Sequence, residues 1–398
     1  MDGTTALPDD VLLDILFRLK DDRAALFRSA TACKRWRRLI ADPSFLRRCW
    51  TTEKELYSLA GIFAPERRQY LALAPSFVPM PRSAMGPGRR SLVSFLPDCL
   101  LLNGAKPLAS RHGLLLVLLP TAPDTTVACP AVCDPLAGKF HVLPPLNDWD
   151  GDNYRGGCAI LTSTDLSSAG FKVLVFNIKY GVYTFSSDEP TCSWTRMSSY
   201  IQCLDGLDIQ VFQTNAVICH GTAHWLGYNS TASCLCTINV NPETGHVSMT
   251  KLMTNPRQDI FRHYRRAPYL SLDRDGTLSV IWMQLEHLNV EIWKPQDNEE
   301  NVDEEEDTST WHCTRVIRLK GKLKIPDKPW LRLKVLHILG EKCDMLLFHD
   351  HGQLYVAELK TGIMEEVVDW PSGHLDHEEA QPFEMDWSTF FVSRLGSQ

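Results

Sequence analysis

Asp273, Asp275 and Gly276 have the residue types and the spacing with which a calcium-binding loop begins. Carboxylate oxygens at alternate positions are ligands that Ca²⁺ prefers, and the glycine allows a sharp turn after them. The later acidic ligand is missing, because positions 277–283 have the composition of an uninterrupted β-strand. The stretch therefore predicts a hairpin turn rather than a metal site.

Several cysteines and histidines have the chemistry of zinc ligands. Cys234 and Cys236 alternate along the chain, and Cys343 precedes His349 and His351. Neither spacing is that of a structural zinc site, and cysteines that alternate along a strand are usually buried as small apolar side chains. We therefore expect no metal and no cofactor.

The local motifs of the common enzyme classes are missing from the sequence. It contains no nucleophile elbow of the hydrolases, no phosphate-binding glycine loop and no zinc-protease helix motif. No local motif therefore supports an enzyme. A stand-alone β-propeller hydrolase stays an alternative, since two carboxylates that folding brings together leave no local signature.

Composition narrows the class of protein. The 398 residues are enough for two domains, and 44% hydrophobic with 22% charged residues is typical of a globular protein. A net charge of −7 argues against a nucleic-acid partner. The 13 scattered cysteines indicate reduced thiols, hence a cytoplasmic and/or nuclear location. The longest apolar run, Leu114–Leu119, is too short for a membrane span.

The elements that would position functional residues begin with helices at the N-terminus. Apolar residues repeat at helical spacing from Leu12 to Leu19, a second helix is predicted at 24–30, and a third is centred on Trp36. Asp21 or Asp22 suits the N-cap of the second helix. Three short helices cannot bury all their apolar surface among themselves. Because the rest of the chain is expected to be self-contained, we expect a partner to cover them.

From residue 58 onward the chain has the composition of short strands and turns. Three units share a turn, two strands and a second turn that ends in glycine. They begin near His112, Gly221 and Asp350, and their second turns end at Gly138, Gly245 and Gly362. A loose repeat of roughly 40–50 residues is typical of propeller blades. We therefore predict an irregular β-propeller, without a prediction of its number of blades, and a β-sandwich is the alternative.

Two charged stretches interrupt the strand pattern. The acidic run at 298–307 predicts an exposed loop, because like charges repel and bury nothing. Arg257, Arg262, Arg265 and Arg266 form a basic cluster. The cluster could contact an acidic substrate motif, or it could be a charged loop between blades.

The N-terminal segment closely resembles an F-box in the order and spacing of its residues. The matching residues are Leu7-Pro8-Asp9-Asp10, Leu12-Leu13, Ile15-Leu16, Leu19, Cys33-Lys34-Arg35-Trp36, Leu39-Ile40 and Asp42-Pro43-Ser44-Phe45. The remainder is similar to the kelch-like F-box-associated domain of many plant F-box proteins. The sequence thus predicts an α+β multidomain chain, with a three-helix F-box at 1–50 and a mostly-β, propeller-like substrate-recognition domain at 51–398.

This resemblance implies a substrate-recognition subunit of an SCF-type (Skp–cullin–F-box) ubiquitin ligase. The F-box would bind a Skp-type adaptor, and through it a cullin–RING ligase, while the β domain would bind an unknown protein substrate. The adaptor-binding residues would be Leu7, Pro8, Leu12, Ile15, Leu16, Leu19, Cys33, Lys34, Trp36 and Leu39. Lys20 stands where many F-boxes carry proline, and Thr31 where an apolar residue is common.

Physical reasoning from the residues leaves two interpretations of this segment. An amphipathic helix that lays its apolar face into a partner's groove is a common mode of recognition. Alternatively, the same residues form the module's own core, and this interpretation is strongest for Trp36 and Leu39. For Leu7, Pro8 and Leu12 the interface is favoured.

Overall fold

The computed structural model shows four N-terminal helices, a series of β-strands and a last helix. It describes residues 7–50, 57–68, 71–96 without 82, 84 and 86, 100–121, 127–147, 156–177 without 169, 181–197 without 191, 208–254 without 213–214, 268–295 without 274–275 and 285–286, 311–321, 334–339, 345–350, 353–367, 370 and 379–395. The acidic run at 298–307, the basic cluster at 257–266, Cys343 and His351 lie outside these residues.

The sequence predicts three N-terminal helices, and the structure has four. They are α1 (Asp9–Phe17), α2 (Arg23–Ala32), α3 (Lys34–Ile40) and α4 (Pro43–Cys49). The fourth begins shortly after the third: Asp42 Oδ1 accepts the Ser44 N–H at 2.7 Å, and Pro43 takes the first helical position. A proline is tolerated there because the first turn needs no N–H.

The N-cap of α2 is Asp22 rather than Asp21. Its Oδ1 accepts the N–H of Ala25 at 2.9 Å. A side-chain oxygen at this position satisfies one of the N–H groups that a helix start leaves unpaired.

The strands of the described residues form six antiparallel sheets. The first blade contains β1 (Tyr57–Arg68), β2 (Leu71–Pro79), β3 (Arg90–Ser91) and, from the end of the chain, β25 (Gln381–Asp386). The second contains β4 (Lys106–Arg111), β5 (Leu114–Leu119), β6 (Cys129–Asp134) and β7 (Lys139–Val142). The third contains β8 (Gly156–Leu161), β9 (Lys172–Asn177), β10 (Gly181–Ser186) and β11 (Thr195–Arg196).

The other three blades follow in chain order. The fourth contains β12 (Ile209–Val211), β13 (Val217–Cys219), β14 (Thr222–Asn229), β15 (Cys234–Asn241) and β16 (His246–Thr254). The fifth contains β17 (Tyr269–Leu272), β18 (Leu278–Gln284), β19 (Asn289–Pro295) and β20 (Trp311–Arg318). The sixth contains β21 (Lys334–Leu339), β22 (Met345–Asp350), β23 (Gln353–Glu358) and β24 (Met364–Glu366).

Contacts between blades arrange these sheets in a ring. The inner strands β25, β4 and β8 contact one another in turn, as do β13, β17 and β21. A buried apolar cluster joins the sixth blade, through Leu347 and Val356, to Ile62 and Val78 of the first. The predicted β-propeller is therefore confirmed, and it has six blades.

The first blade is built from both ends of the β region. β25 pairs antiparallel with β1, from Tyr57 opposite Asp386 to Phe63 opposite Gln381. Pairing the last strand with the first removes the open edges that a linear array of sheets would leave.

The repeated turns predicted from the sequence are confirmed, and they lie between the last two strands of the second, fourth and sixth blades. Asp134 accepts two backbone N–H groups within its turn, at 3.1 and 2.9 Å. Asn241 accepts two at 3.0 Å each. Gly138, Gly245 and Gly362 end the turns with φ of 67°, 69° and 72°, a region in which residues with a Cβ are strained.

The four helices and the first blade share one apolar core, because the chain continues from β25 into a last helix, α5 (Trp387–Leu395). The ring centroid of Phe27 lies 5.3 Å from that of Phe390 and 5.7 Å from that of Phe391. The ring centroids of Trp50 and Phe391 are 5.6 Å apart. The expectation that only a partner covers the helices is therefore wrong. Sequence reasoning missed α5, which folding brings back to the N-terminal helices.

No helix in the described residues has the length and apolar character that a bilayer crossing requires.

Candidate functional site

Three exposed apolar side chains form a stripe at the start of the helical region: Leu7, and Val11 and Ile15 of helix α1. They are 50%, 40% and 44% exposed. Val11 and Ile15 lie four residues apart and therefore one above the other on a face of α1. Leu7 lies two residues before the first residue of the helix. The opposite face of α1 is buried, with Leu12 at 5% and Leu16 at 1% exposure.

Ion pairs fix α1 on its neighbouring helices. Arg35 of α3 donates from Nε to Asp9 Oδ1 at 2.8 Å and from Nη2 to the carbonyl of Leu7 at 2.5 Å. Arg48 of α4 donates to Asp14 Oδ1 at 2.6 Å. Partly exposed pairs of this kind contribute little stability each. They do hold the stripe in one orientation relative to the other helices.

The ten residues predicted to contact an adaptor occupy three environments. Leu7, Pro8, Ile15, Cys33 and Lys34 are exposed; Leu19, Trp36 and Leu39 are half-buried; Leu12 and Leu16 are buried. The half-buried side chains pack against the shared core. Their adaptor role stays a prediction, and the structure brings only the exposed members to the surface of this chain.

Sequence reasoning missed Val11. The signal was available, since Val11 lies four residues from both Leu7 and Ile15. It was overlooked because the stronger apolar period through Leu12 and Leu16 marks the buried face of the same helix.

The two departures from the F-box pattern have local partners. The Thr31 hydroxyl donates to the carbonyl of Arg28 at 2.7 Å, within the last turn of α2. Lys20 places Nζ 5.2 Å from the ring centroid of Phe17, and its carbonyl accepts Trp50 Nε1–H at 3.3 Å. Both polar residues are thus accommodated without loss of a buried contact.

A buried ion pair joins the second and third blades. Arg111, at the end of β4, donates to both oxygens of Asp165, at 2.8 and 2.6 Å, and both side chains are less than 10% exposed. Burial alone would raise the pKa of the Asp165 carboxyl. The bonds and charge of Arg111, with the N–H of Thr162, outweigh that effect and hold this pKa below its ordinary value.

The structure describes some of the residues that were considered as metal ligands. Cys234 and Cys236 are buried on β15, and burial raises the pKa of the Cys236 thiol to about 12. Asp273 and Gly276 form the turn between β17 and β18, closed by a 3.0 Å backbone bond. Within the described part of the chain, no three His, Cys, Asp or Glu side chains are grouped so as to hold a metal ion.

Comparison with known proteins gives one sequence match. The family described as F-box-like matches residues 4–51, a segment that contains α1 to α4. No curated protein matches the chain.

Several solved structures resemble the chain in outline. TolB from Acinetobacter baumannii is 9% identical, with 85% of this chain and 72% of that chain covered and a TM-score of 0.41. The SapL1 lectin in complex with alpha methyl fucoside is 11% identical, with 81% of this chain and 98% of the lectin covered and a TM-score of 0.38. The periplasmic gluconolactonase PpgL of Pseudomonas aeruginosa is 12% identical, covered at 78% and 82%, with a TM-score of 0.38. Likenesses this distant carry no argument about function.

Proposed function

We propose that this chain, an F-box-like domain followed by a six-bladed β-propeller, is the substrate-recognition subunit of an SCF-type ubiquitin ligase. The F-box-like domain would bind a Skp-type adaptor and so join a cullin–RING ligase. The propeller would bind the protein substrate. In this proposal the chain is itself non-catalytic, works in the cytoplasm and/or nucleus, and belongs with the kelch-like F-box proteins of plants.

The observation that carries the proposal is the apolar stripe of Leu7, Val11 and Ile15. It lies within the F-box-like segment, and it stays about half exposed although α5 covers other parts of the helices. Removing aliphatic surface of this kind from water would stabilise a complex by about 25 cal/mol per Å² buried. A groove on a partner helix pair would bury it in the helix-in-groove mode.

The burial of the opposite face of α1 determines which positions can test the stripe. Because Leu12 and Leu16 already face the core, their substitution would unfold the module rather than probe an interface. Exposed positions are therefore the informative ones. Leu7 and Ile15 can be changed without opening a cavity in this chain.

The test is co-expression with a plant Skp-type adaptor, followed by size exclusion. We expect the wild-type chain to co-elute with the adaptor and the double variant Leu7→Asp, Ile15→Asp to lose co-elution. The matched control is Val142→Asp with Val316→Asp, two valines on the propeller that are 52% and 58% exposed. Thermal unfolding of both variants should resemble that of the wild type.

Two results would count against the proposal. Equal co-elution of the stripe variant and the wild type would show that the stripe is not part of the adaptor interface. A wild-type chain that stays alone in the presence of the adaptor would favour the stand-alone propeller enzyme. Co-precipitation of a cullin from cells then separates a ligase subunit from a protein that binds only the adaptor.

A further inference from the structure

A pocket of about 350 Å³ opens on the first blade. Its walls come from three separate parts of the chain. Glu66 and Ser76 belong to the paired strands β1 and β2, Arg89 and Arg90 lie at the start of β3, and Asn103 follows a short 3₁₀ turn at Leu100–Leu102.

A carboxylate lies buried in this pocket. Glu66 is 6% exposed and follows a bulge in the β1–β2 pairing. Its Oε2 accepts the hydroxyl of Ser76, and its Oε1 lies 3.6 Å from Arg89 Nη1. At this distance the two groups form an ion pair, but they are too far apart for a hydrogen bond.

Arg89 leaves a donor in the pocket unsatisfied. Its Nη1 is buried, and no residue that the structure describes accepts a hydrogen bond from it. A buried donor without an acceptor costs free energy, so such groups are usually satisfied by something. An oxygen atom of a ligand would satisfy this one.

The described charges of the pocket favour an anionic ligand. Glu66 contributes one negative charge, and Arg89 and Arg90 contribute two positive charges. Arg90 is exposed and uses one Nη2–H on the carbonyl of Met85, at 2.7 Å. A guanidinium carries five donors, so Arg90 has further N–H groups to offer a carboxylate or a phosphate.

Two exposed leucines, here called the rim leucines, lie in the short 3₁₀ turn directly before the pocket residue Asn103. Leu100 and Leu101 are 80% and 60% exposed, more than any other large apolar side chain among the described residues. The N–H of Asn103 donates to the carbonyl of Leu100 at 3.3 Å, so the leucines lie within one turn of the pocket wall. Adjacent exposed apolar side chains mark interaction sites more often than scattered ones do.

We propose that this pocket and its rim leucines bind an extended peptide segment that carries an anionic group next to a large apolar side chain. The anionic group, a carboxylate or a phosphate, would bind Arg89 and Arg90, and the apolar side chain would cover Leu100 and Leu101. The inference rests on the proposed function in that it takes the peptide to be part of a substrate. Peptide binding itself does not require the adaptor.

The test begins with a phage-displayed library of random peptides panned against the purified full chain. We expect enriched peptides to pair an acidic with a large apolar residue. A labelled enriched peptide is then measured by fluorescence anisotropy. Arg90→Glu and Leu101→Asp should each weaken binding at least about tenfold. The control substitutions Arg196→Glu and Val142→Asp, at exposed positions of the third and second blades, should leave it unchanged.

A second variant distinguishes ligand binding from a structural role. Glu66→Gln removes a negative charge from the pocket and frees Arg89, so it should tighten binding of the anionic peptide several-fold. If Glu66 only held the strands together, the same change would weaken binding or leave it unaltered. The peptide with phosphoserine in place of its acidic residue shows which anion binds better, and the neutral serine peptide should bind least.

Several outcomes would overturn the inference: no enrichment, enriched peptides without an acidic residue, equal binding of the neutral serine peptide, or insensitivity to both Arg90→Glu and Leu101→Asp. The proposed function fails separately. The stripe variant Leu7→Asp, Ile15→Asp should still bind the peptide while it loses the adaptor. If the wild-type chain binds the adaptor but binds no such peptide, the pocket proposal fails and the ligase proposal stands.

Discussion

The N-terminal helices and the propeller are completed by two halves of one segment near the end of the chain. β25 closes the ring by pairing with β1, and α5, directly after it, packs against α3 and α4. The helices depend on apolar packing of α5, with Phe391 fully buried. The propeller depends on strand pairing, on apolar clusters between blades and, in addition, on buried polar contacts between blades, such as Arg111 with Asp165.

This difference has a consequence for the stability of each region. A change in α5 removes cover from the helices and also loosens the strand that closes the ring. A change between the second and third blades touches the propeller only. The substitutions below test that asymmetry and the burial of individual residues in the helices.

Phe391→Ala should have the largest effect. It removes a fully buried ring that lies 5.6 Å from Trp50 and 5.7 Å from Phe27. Such truncations cost about 3–5 kcal/mol. Urea unfolding should show the loss, and hydrogen exchange should show faster exchange in both the helices and the first blade. Val392→Ala, at a 41% exposed neighbour, should stay within about 0.5 kcal/mol. Faster exchange confined to the helices would contradict the inference that α5 and β25 together stabilise both regions.

Asp165→Asn should damage the propeller alone. It leaves the buried guanidinium of Arg111 without its charge partner, at a cost of about 3 kcal/mol. Hydrogen exchange should rise in the second and third blades and not in α1 to α4. The control is Glu243→Gln, an exposed carboxylate that bonds Ser167 and should cost far less.

The same pair gives a pH dependence with a definite sign. Because the pKa of folded Asp165 is lowered, its stabilisation is present above the ordinary carboxyl pKa and is lost as the pH falls through the lower, folded pKa. The wild type should therefore lose its advantage over Asp165→Asn in acid. A stability difference that grows on acidification would contradict this assignment.

Leu16→Ala and Ile15→Ala compare the two faces of α1. Leu16 is 1% exposed, and its truncation should cost about 2–3 kcal/mol, at the lower end for leucine because a peripheral helix can relax into the space. Ile15, at 44% exposure, should cost less than about 0.5 kcal/mol. Urea unfolding measures both, and equal losses would mean that the stripe is part of the core.

Asp22→Ala should have the smallest measurable effect. It removes the N-cap bond to Ala25 and should cost about 1 kcal/mol. Asp21→Ala is the matched control, since the cap is Asp22, and it should change stability by only a few tenths of a kcal/mol. Thermal unfolding of the two variants is sufficient, and a larger loss for Asp21→Ala would overturn the cap assignment.

The sequence predicted those features that depend on neighbours along the chain. The helical period from Leu12 to Leu19, a cap at Asp21 or Asp22 and the turns that end at Gly138 and Gly245 are each set by a few consecutive residues. Their signals are backbone conformation and side-chain hydrogen bonds within the turn. The F-box resemblance included Leu7 and Ile15 of the stripe, but it omitted Val11 and added the buried Leu12 and Leu16.

The candidate sites were only partly accessible to sequence reasoning. The stripe comes from one short segment, residues 7–15, so its spacing is visible once the buried face of α1 is known. The pocket is assembled from Glu66, Arg89 and Asn103, which lie in separate parts of the chain. No local pattern relates these residues, because their proximity results from strand pairing and from the loop that follows β3.

The sequence by itself determined that short helices lie near the N-terminus, where the repeated turns end, and that short strands fill most of the rest of the chain. The tertiary structure decided the number of blades, the pairing of β25 with β1 and the burial of the helices under α5. The physical reason is distance along the chain. Propensity and periodicity act over a few residues, whereas the closing contacts join residues more than 300 positions apart, as in the pairing of Tyr57 with Asp386.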